Sequence, residues 1–97
     1  MKTLFIDTTN NKEITINLTV DKKKYISTKQ MDYRKSQIVL QLIERLLKKH
    51  SYALQDLSAI EVVTDHGSFT GIRVGLSIAN TLGWVLNICV NGKPVQA

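Results

Sequence analysis

Two short stretches of this chain carry residues whose types and spacing could do chemistry. Asp7-Thr8-Thr9 follows the apolar run Leu4-Phe5-Ile6. A carboxylate at a strand end with hydroxyls after it can hold a hydrated metal beside a phosphate. The same residues also make an ordinary turn in which the Asp side chain bonds the backbone, and the lack of a second carboxylate beside Asp7 favours the turn. The other stretch is Gly67-Ser68-Phe69-Thr70-Gly71, which ends one strand-like run and opens a helical one. Free amides at such a helix start can hold an anion. Asp7, Thr8, Gly67, Ser68 and Thr70 are therefore the candidates for a nucleotide or phosphate contact, but no cofactor is assigned to them. Arg73, in the expected first helical turn, sits where the helix dipole disfavours a cation, so it needs an acidic group, a bound anion or open solvent.

Other chemistries lack their residues. His50 and His66 share no helical face and Cys89 is the one cysteine, so no metal ligand set forms and no disulfide framework exists. There is no Gly-x-x-x-x-Gly-Lys-Ser/Thr phosphate loop and no Gly-x-Ser-x-Gly nucleophile turn.

The 97 residues fit one domain with a modest core. No apolar run is long enough to span a membrane, and the N-terminus has no signal-peptide core, so a cytoplasmic location is expected. The net charge is +5. Lys22-Lys23-Lys24, Arg34-Lys35 and Lys48-Lys49 fall on three different elements, which reads first as a solvated surface and second as weak attraction for a polyanion such as tRNA.

The elements that must hold these stretches follow from periodicity. Residues 2–7 read as a buried strand. Residues 13–20 alternate Ile14, Ile16, Leu18 and Val20 against Thr15, Asn17 and Thr19, a half-exposed strand. Asp21-Lys22 turns the chain into a third strand over 23–28, so the start is antiparallel. A loop follows over 29–33, then a helix over 36–50. A connecting turn over 52–57 leads to a strand over 58–64, a helix over 70–86 and a short strand over 88–90. Asn91-Gly92 marks a turn. The fold class is α/β, a mixed sheet with the order βββαβαβ.

Both helices carry apolar arcs of roughly 200°, wider than the stripe of about 100° that packing on a sheet requires. Either each helix is a well-covered core helix, or each touches a sheet and something else. In the first helix the arc holds Ile38, Val39, Leu40, Leu42, Ile43, Leu46 and Leu47. In the second it holds Ile72, Val74, Leu76, Ile78, Leu82, Val85 and Leu86, with Gly71, Gly75, Ala79 and Gly83 four apart along it. Glycine inside a helix costs about 1 kcal/mol relative to alanine, so such a ridge implies the close approach of another backbone. Trp84 falls on the polar side with Arg73. These residues, Ile38, Val39, Leu42, Leu46, Arg73, Gly75, Ile78, Ala79, Leu82, Gly83 and Trp84, form the expected partner interface.

The stretch Gly67-Ser68-Phe69-Thr70-Gly71-Ile72-Arg73-Val74-Gly75 resembles the signature G-P-G-S-F-T-G-L-R-V-G of the bacterial TsaB (YeaZ) family. Phe5-Ile6-Asp7-Thr8-Thr9 is similar to that family's opening L-x-I-D-T-S, and Asp56-Leu57-Ser58-Ala59-Ile60 to its D-L-D-A-I. The likeness runs over residues 2–90. Asp65 and His66 replace the family's Gly-Pro, and Lys35, Gln37 and Gln41 replace its His, Glu and Pro, which weakens a ligand role for the loop. The resemblance implies the first lobe of an actin-like, ribonuclease-H-like fold spanning 1–97, with the family's second lobe absent. It further implies a non-catalytic subunit for making threonylcarbamoyladenosine on tRNA, paired through its two helices with the catalytic subunit TsaD. The ATPase TsaE would join through the complex, tRNA would be met indirectly, and the chain alone could form a homodimer. A single lobe leaves any nucleotide on an open face, which argues against an independent enzyme. The alternatives are a degenerate nucleotide-binding domain and a basic RNA-binding accessory.

Overall fold

A computed structural model describes residues 1–10, 12–30, 35–67 and 69–95, with the side chains of residues 35 and 36 excluded. The elements are β1 (Lys2–Asp7), β2 (Glu13–Val20), β3 (Lys23–Gln30), α1 (Lys35–Lys49), a 3-10 turn (Leu54–Asp56), β4 (Ala59–Val62), α2 (Phe69–Leu86) and β5 (Cys89–Val90). The strands form one five-stranded sheet in the order β3-β2-β1-β4-β5. β1, β2 and β3 are joined antiparallel, and β4 and β5 add in parallel beside β1. The mixed α/β sheet and its element order are those read from the sequence.

The alternation in β2 sets the register. Ile14, Ile16 and Leu18 are fully buried, and across the ladder Ile16 faces Ile6 while Leu18 faces Leu4. Leu4 and Ile6 in turn face Ile60 and Val62 of β4. Both helices pack on this one side of the sheet, α1 over β2 and β3, α2 over β1, β4 and β5. The opposite side carries Thr3, Phe5, Asn17, Ile26, Ala59, Glu61 and Cys89, and no described element lies across it.

Each helix ends in the same way. Ser51 (φ 62°) and Asn87 (φ 57°) take the left-handed conformation. Tyr52 N–H then donates to Leu47 O and Ile88 N–H to Gly83 O, both at 2.9 Å. These are the bonds of a Schellman cap, made here without glycine. Asn91 (φ 51°) and Gly92 (φ 78°) form the expected tight turn, closed by Val90–Lys93 backbone bonds in both directions.

Some boundaries differ from the sequence reading. β3 runs on through Lys29 and Gln30, because they keep pairing with Ile14 and Glu13 of β2. β4 stops at Val62, short of Thr64, and β5 begins at Cys89. Beyond β5 the Asn91 side chain takes over the pairing. Its Oδ1 accepts from Val62 N–H at 2.8 Å and its Nδ2 donates to Val62 O at 3.1 Å. The connecting turn over 52–57 contains a 3-10 turn, in which the Asp56 carboxylate accepts from Ala53 N–H at 2.8 Å.

Candidate interaction site

The C-terminal ends of the parallel strands β1 and β4 bring together the two stretches that could do chemistry. Asp7 Oδ1 accepts from Thr9 N–H at 3.0 Å and from Thr9 Oγ1 at 2.6 Å. Its carboxylate thus closes a turn on itself, the local arrangement expected of Asp in that position. Thr8, fully buried, donates its hydroxyl to Gly71 O at 2.5 Å. Gly67 (φ 99°) presses on the same turn: a β-carbon there would collide with Thr9 Cβ. Thr70, the second residue of α2, is exposed, whereas Ser68 lies outside the described residues. Asp7, Thr8 and Gly67 are therefore brought together: Asp7 bonds within its own turn, Thr8 joins strand to helix, and Gly67 packs against Thr9.

The small-residue ridge has an intramolecular explanation, which corrects the expectation that it meets a partner. Gly71, Gly75, Ala79 and Gly83 are all buried within this chain. A β-carbon on Gly75 would lie 2.5 Å from Thr8 Oγ1 and 3.2 Å from Val62 Cγ2. One on Gly83 would meet Val90 Cγ2 at 2.6 Å, Val95 Cγ2 at 2.8 Å and the carbonyl oxygen of Ile88 at 3.1 Å. The close approach is that of α2 onto its own sheet. Val39, Leu42, Leu46 and Ile78 are likewise buried in the core under the two helices. The arcs are wide because each helix covers the sheet and also leans on its neighbour.

Arg73 also changes its reading. α2 begins at Phe69, so Arg73 lies in the second turn rather than the first, and its guanidinium stacks 4.6 Å from the centre of the Phe69 ring. Arg73 is exposed, the open-solvent alternative, and the aromatic face adds a cation–π contact.

What remains open lies along the groove between the helices. Leu40, Ile43, Leu47, Tyr52, Leu54 and Leu82 line a cleft of about 480 Å³ between α1, the 3-10 turn and α2. Leu40 is 48% exposed, Val85 66% and Trp84 58%, with Ile38 and Leu82 half-buried. Val85 lies one turn beyond Leu82 on the same flank of α2. Leu40, Leu54 and Val85 were not among the expected interface residues. Leu40 and Val85 belong to the apolar arcs, and the far edge of each arc was the signal that could have picked them out.

The comparisons with known proteins agree with this architecture. A family profile described as "TsaD: tRNA N6-adenosine threonylcarbamoyltransferase" matches residues 22–92. The tRNA threonylcarbamoyladenosine biosynthesis protein TsaB of Bacillus subtilis (strain 168) is 33% identical over 94 residues, which are 94% of this chain and 40% of that protein. The protein of the same name from Buchnera aphidicola subsp. Baizongia pistaciae is 27% identical over 91% of this chain and 40% of its own length. Among solved structures, YeaZ from Pseudomonas aeruginosa superposes with a TM-score of 0.85 at 22% identity, over 92% of this chain and 41% of that one. The chain thus spans about two-fifths of the relatives it matches. A profile match over most of its length, with the TsaB and YeaZ likenesses over the same residues, shows that the chain belongs to the TsaD family of that profile, on its TsaB/YeaZ side.

Proposed function

We propose that this chain acts as a non-catalytic partner module in the synthesis of threonylcarbamoyladenosine on tRNA, docking on a TsaD-like catalytic subunit through the outer faces of α1 and α2. The observation that carries the reading is the apolar margin of the inter-helix groove. Leu40, Leu54 and Val85 stand exposed around half-buried Tyr52 and Leu82, with Trp84 on the adjoining face of α2. Aliphatic groups around a concave strip, with an aromatic anchor at its edge, suit a helix from another protein. The names of the TsaB relatives supply the pathway. Asp7 fits a non-catalytic role, because its Oδ1 accepts two bonds from Thr9 and closes a local turn. A TsaE-like ATPase would join through the assembled complex.

Titration of the chain against a TsaD-like subunit tests this. Val85→Glu and Leu40→Glu are expected to weaken binding by about fivefold or more, since interface anchors are commonly worth about 1 kcal/mol or more. Unchanged affinity in both variants would remove the groove from the interface. ATP turnover by the isolated chain that Asp7→Asn abolishes would overturn the non-catalytic assignment.

A further inference from the structure

The fold brings five cations that are apart in sequence, Lys22, Lys23, Lys29, Arg45 and Lys49, to one side of the molecule, while Lys24 is on the other face of the sheet and Lys48 lines the groove. Lys23 and Lys29 of β3 pair with Val20 and Ile14, so their side chains project from the helix-bearing face of the sheet at its outer edge. α1 lies above that edge. Leu40, Ile43, Glu44 and Leu47 turn toward the groove shared with Leu82 of α2. At about 100° per residue, Arg45 and Lys49 must therefore project from the other flank of α1, toward β3. Lys22, in the turn before β3, extends the row. The Tyr25 and His50 rings stack at 3.6 Å between centroids and 20° between planes, clamping the end of α1 to β3. The two rows of cations are thereby held in fixed relation.

All five of Lys22, Lys23, Lys29, Arg45 and Lys49 are exposed, and among the described residues none forms an ion pair. No Asp or Glu occurs in β3, and the one acid of α1, Glu44, is on the groove side. Asp21, beside Lys22, is taken by the N-terminal ammonium at 3.1 Å. Lys23 to Lys29 covers about 20 Å of extended strand, which matches the rise of roughly six phosphates along one strand of a duplex.

We propose that this flank of β3 and α1 contacts the phosphate backbone of a folded RNA directly. The inference rests on the functional reading above and adds an RNA contact to it. An anionic membrane suits the flank less well, because membrane-surface elements set large apolar side chains beside their cations. Here half-buried Tyr25 and Ser27 lie between Lys23 and Lys29 on their face of β3; of the exposed apolar groups, Met1 is beside Asp21, Ile26 is on the other face of the sheet, and Leu40, Leu54 and Val85 border the groove.

The test is binding of the chain to bulk tRNA across a salt series. The double substitution Lys23→Gln/Lys49→Gln is compared with Lys12→Gln/Lys93→Gln, which removes the same charge outside the flank. The flank pair is expected to weaken binding roughly tenfold and to reduce the slope of log K against log salt by about 2, one for each phosphate left without its lysine. The control pair is expected to change both far less. Equal weakening in the two pairs would overturn the proposal, as would tighter binding of the wild-type chain to phosphatidylserine vesicles than to tRNA. Both variants are melted to confirm folding and titrated with the TsaD-like subunit, whose binding is expected to persist. Weakened RNA binding with intact subunit binding supports the flank. Flank-dependent RNA binding without any subunit binding would sink the partner reading and leave this one standing.

Discussion

The Thr8 hydroxyl lies 2.5 Å from where a β-carbon on Gly75 would be, and it donates to Gly71 O from that position. Gly75→Ala gains about 1 kcal/mol of helix propensity. Against this stand overpacking, about 1–3 kcal/mol, and a strained or broken hydrogen bond, about 0.5–1.5 kcal/mol. A net loss of about 0.5–3.5 kcal/mol is expected in denaturant melts. Combining it with Thr8→Ala should cost less than the sum of the two single changes, because the side chain in the way is gone. Strict additivity would show that the Thr8 side chain yields freely. The spacing of these glycines was legible in the sequence as a demand for close approach. The surface approached was not, because Thr8 is far away along the chain and only the pairing of β1 with β4 sets it under α2. The helical turn of Arg73 differs for a related reason: helix start positions are uncertain by a residue or two, and a start at Phe69 moves it from the first turn to the second.

Periodicity carries the elements well. The period-two alternation in β2 and the arcs of α1 and α2 gave their types and placed the core faces of Ile14, Ile16, Leu18, Val39 and Leu42. It does not tell which part of a wide arc is covered by the sheet and which by the neighbouring helix, since that depends on how the helices lean together. Ala79, fully buried, is in the covered part. Ala79→Leu is therefore expected to lower the stability of the isolated chain by about 1–3 kcal/mol through overpacking, seen as a lowered melting temperature before any partner is added. A wild-type melt would mean that α2 can move off the sheet. Val85, at the arc's edge, should behave oppositely, with Val85→Glu leaving stability within about 0.5 kcal/mol of wild type. The Asn91 contribution to β4 was not legible either. Asn-Gly reads as a turn, and nothing in that dipeptide announces that its side chain will bond both polar groups of Val62.

At the scale of the whole molecule, exposed Leu40, Leu54 and Val85 border one groove while Lys22, Lys23, Lys29, Arg45 and Lys49 stand exposed on the opposite flank of α1. Without a partner, the groove is expected to drive weak self-association. Sedimentation should show concentration-dependent dimers that Val85→Glu abolishes, and a clean monomer at high concentration would count against the apolar margin as an interface. The overall architecture was legible because short turns force β1, β2 and β3 into a meander and a helix between strands forces parallel pairing. The gathering of charge was not, because it needs β3 and α1 side by side in known register.

The strand order β3-β2-β1-β4-β5 has a consequence for the rate at which this molecule forms. β1 belongs to two units at once: a meander closed by short turns, and a parallel pair with β4 that closes a long loop holding β2, β3 and α1. Segments close in sequence meet before those that must close long loops. The meander with α1 folded against it is therefore expected to make up the rate-limiting nucleus, with β4, α2 and β5 consolidating afterwards. In stopped-flow refolding, Ile16→Val in β2 should slow folding, and Ile60→Val in β4 should chiefly hasten unfolding. The reverse pattern would place the nucleus on the parallel side of the sheet.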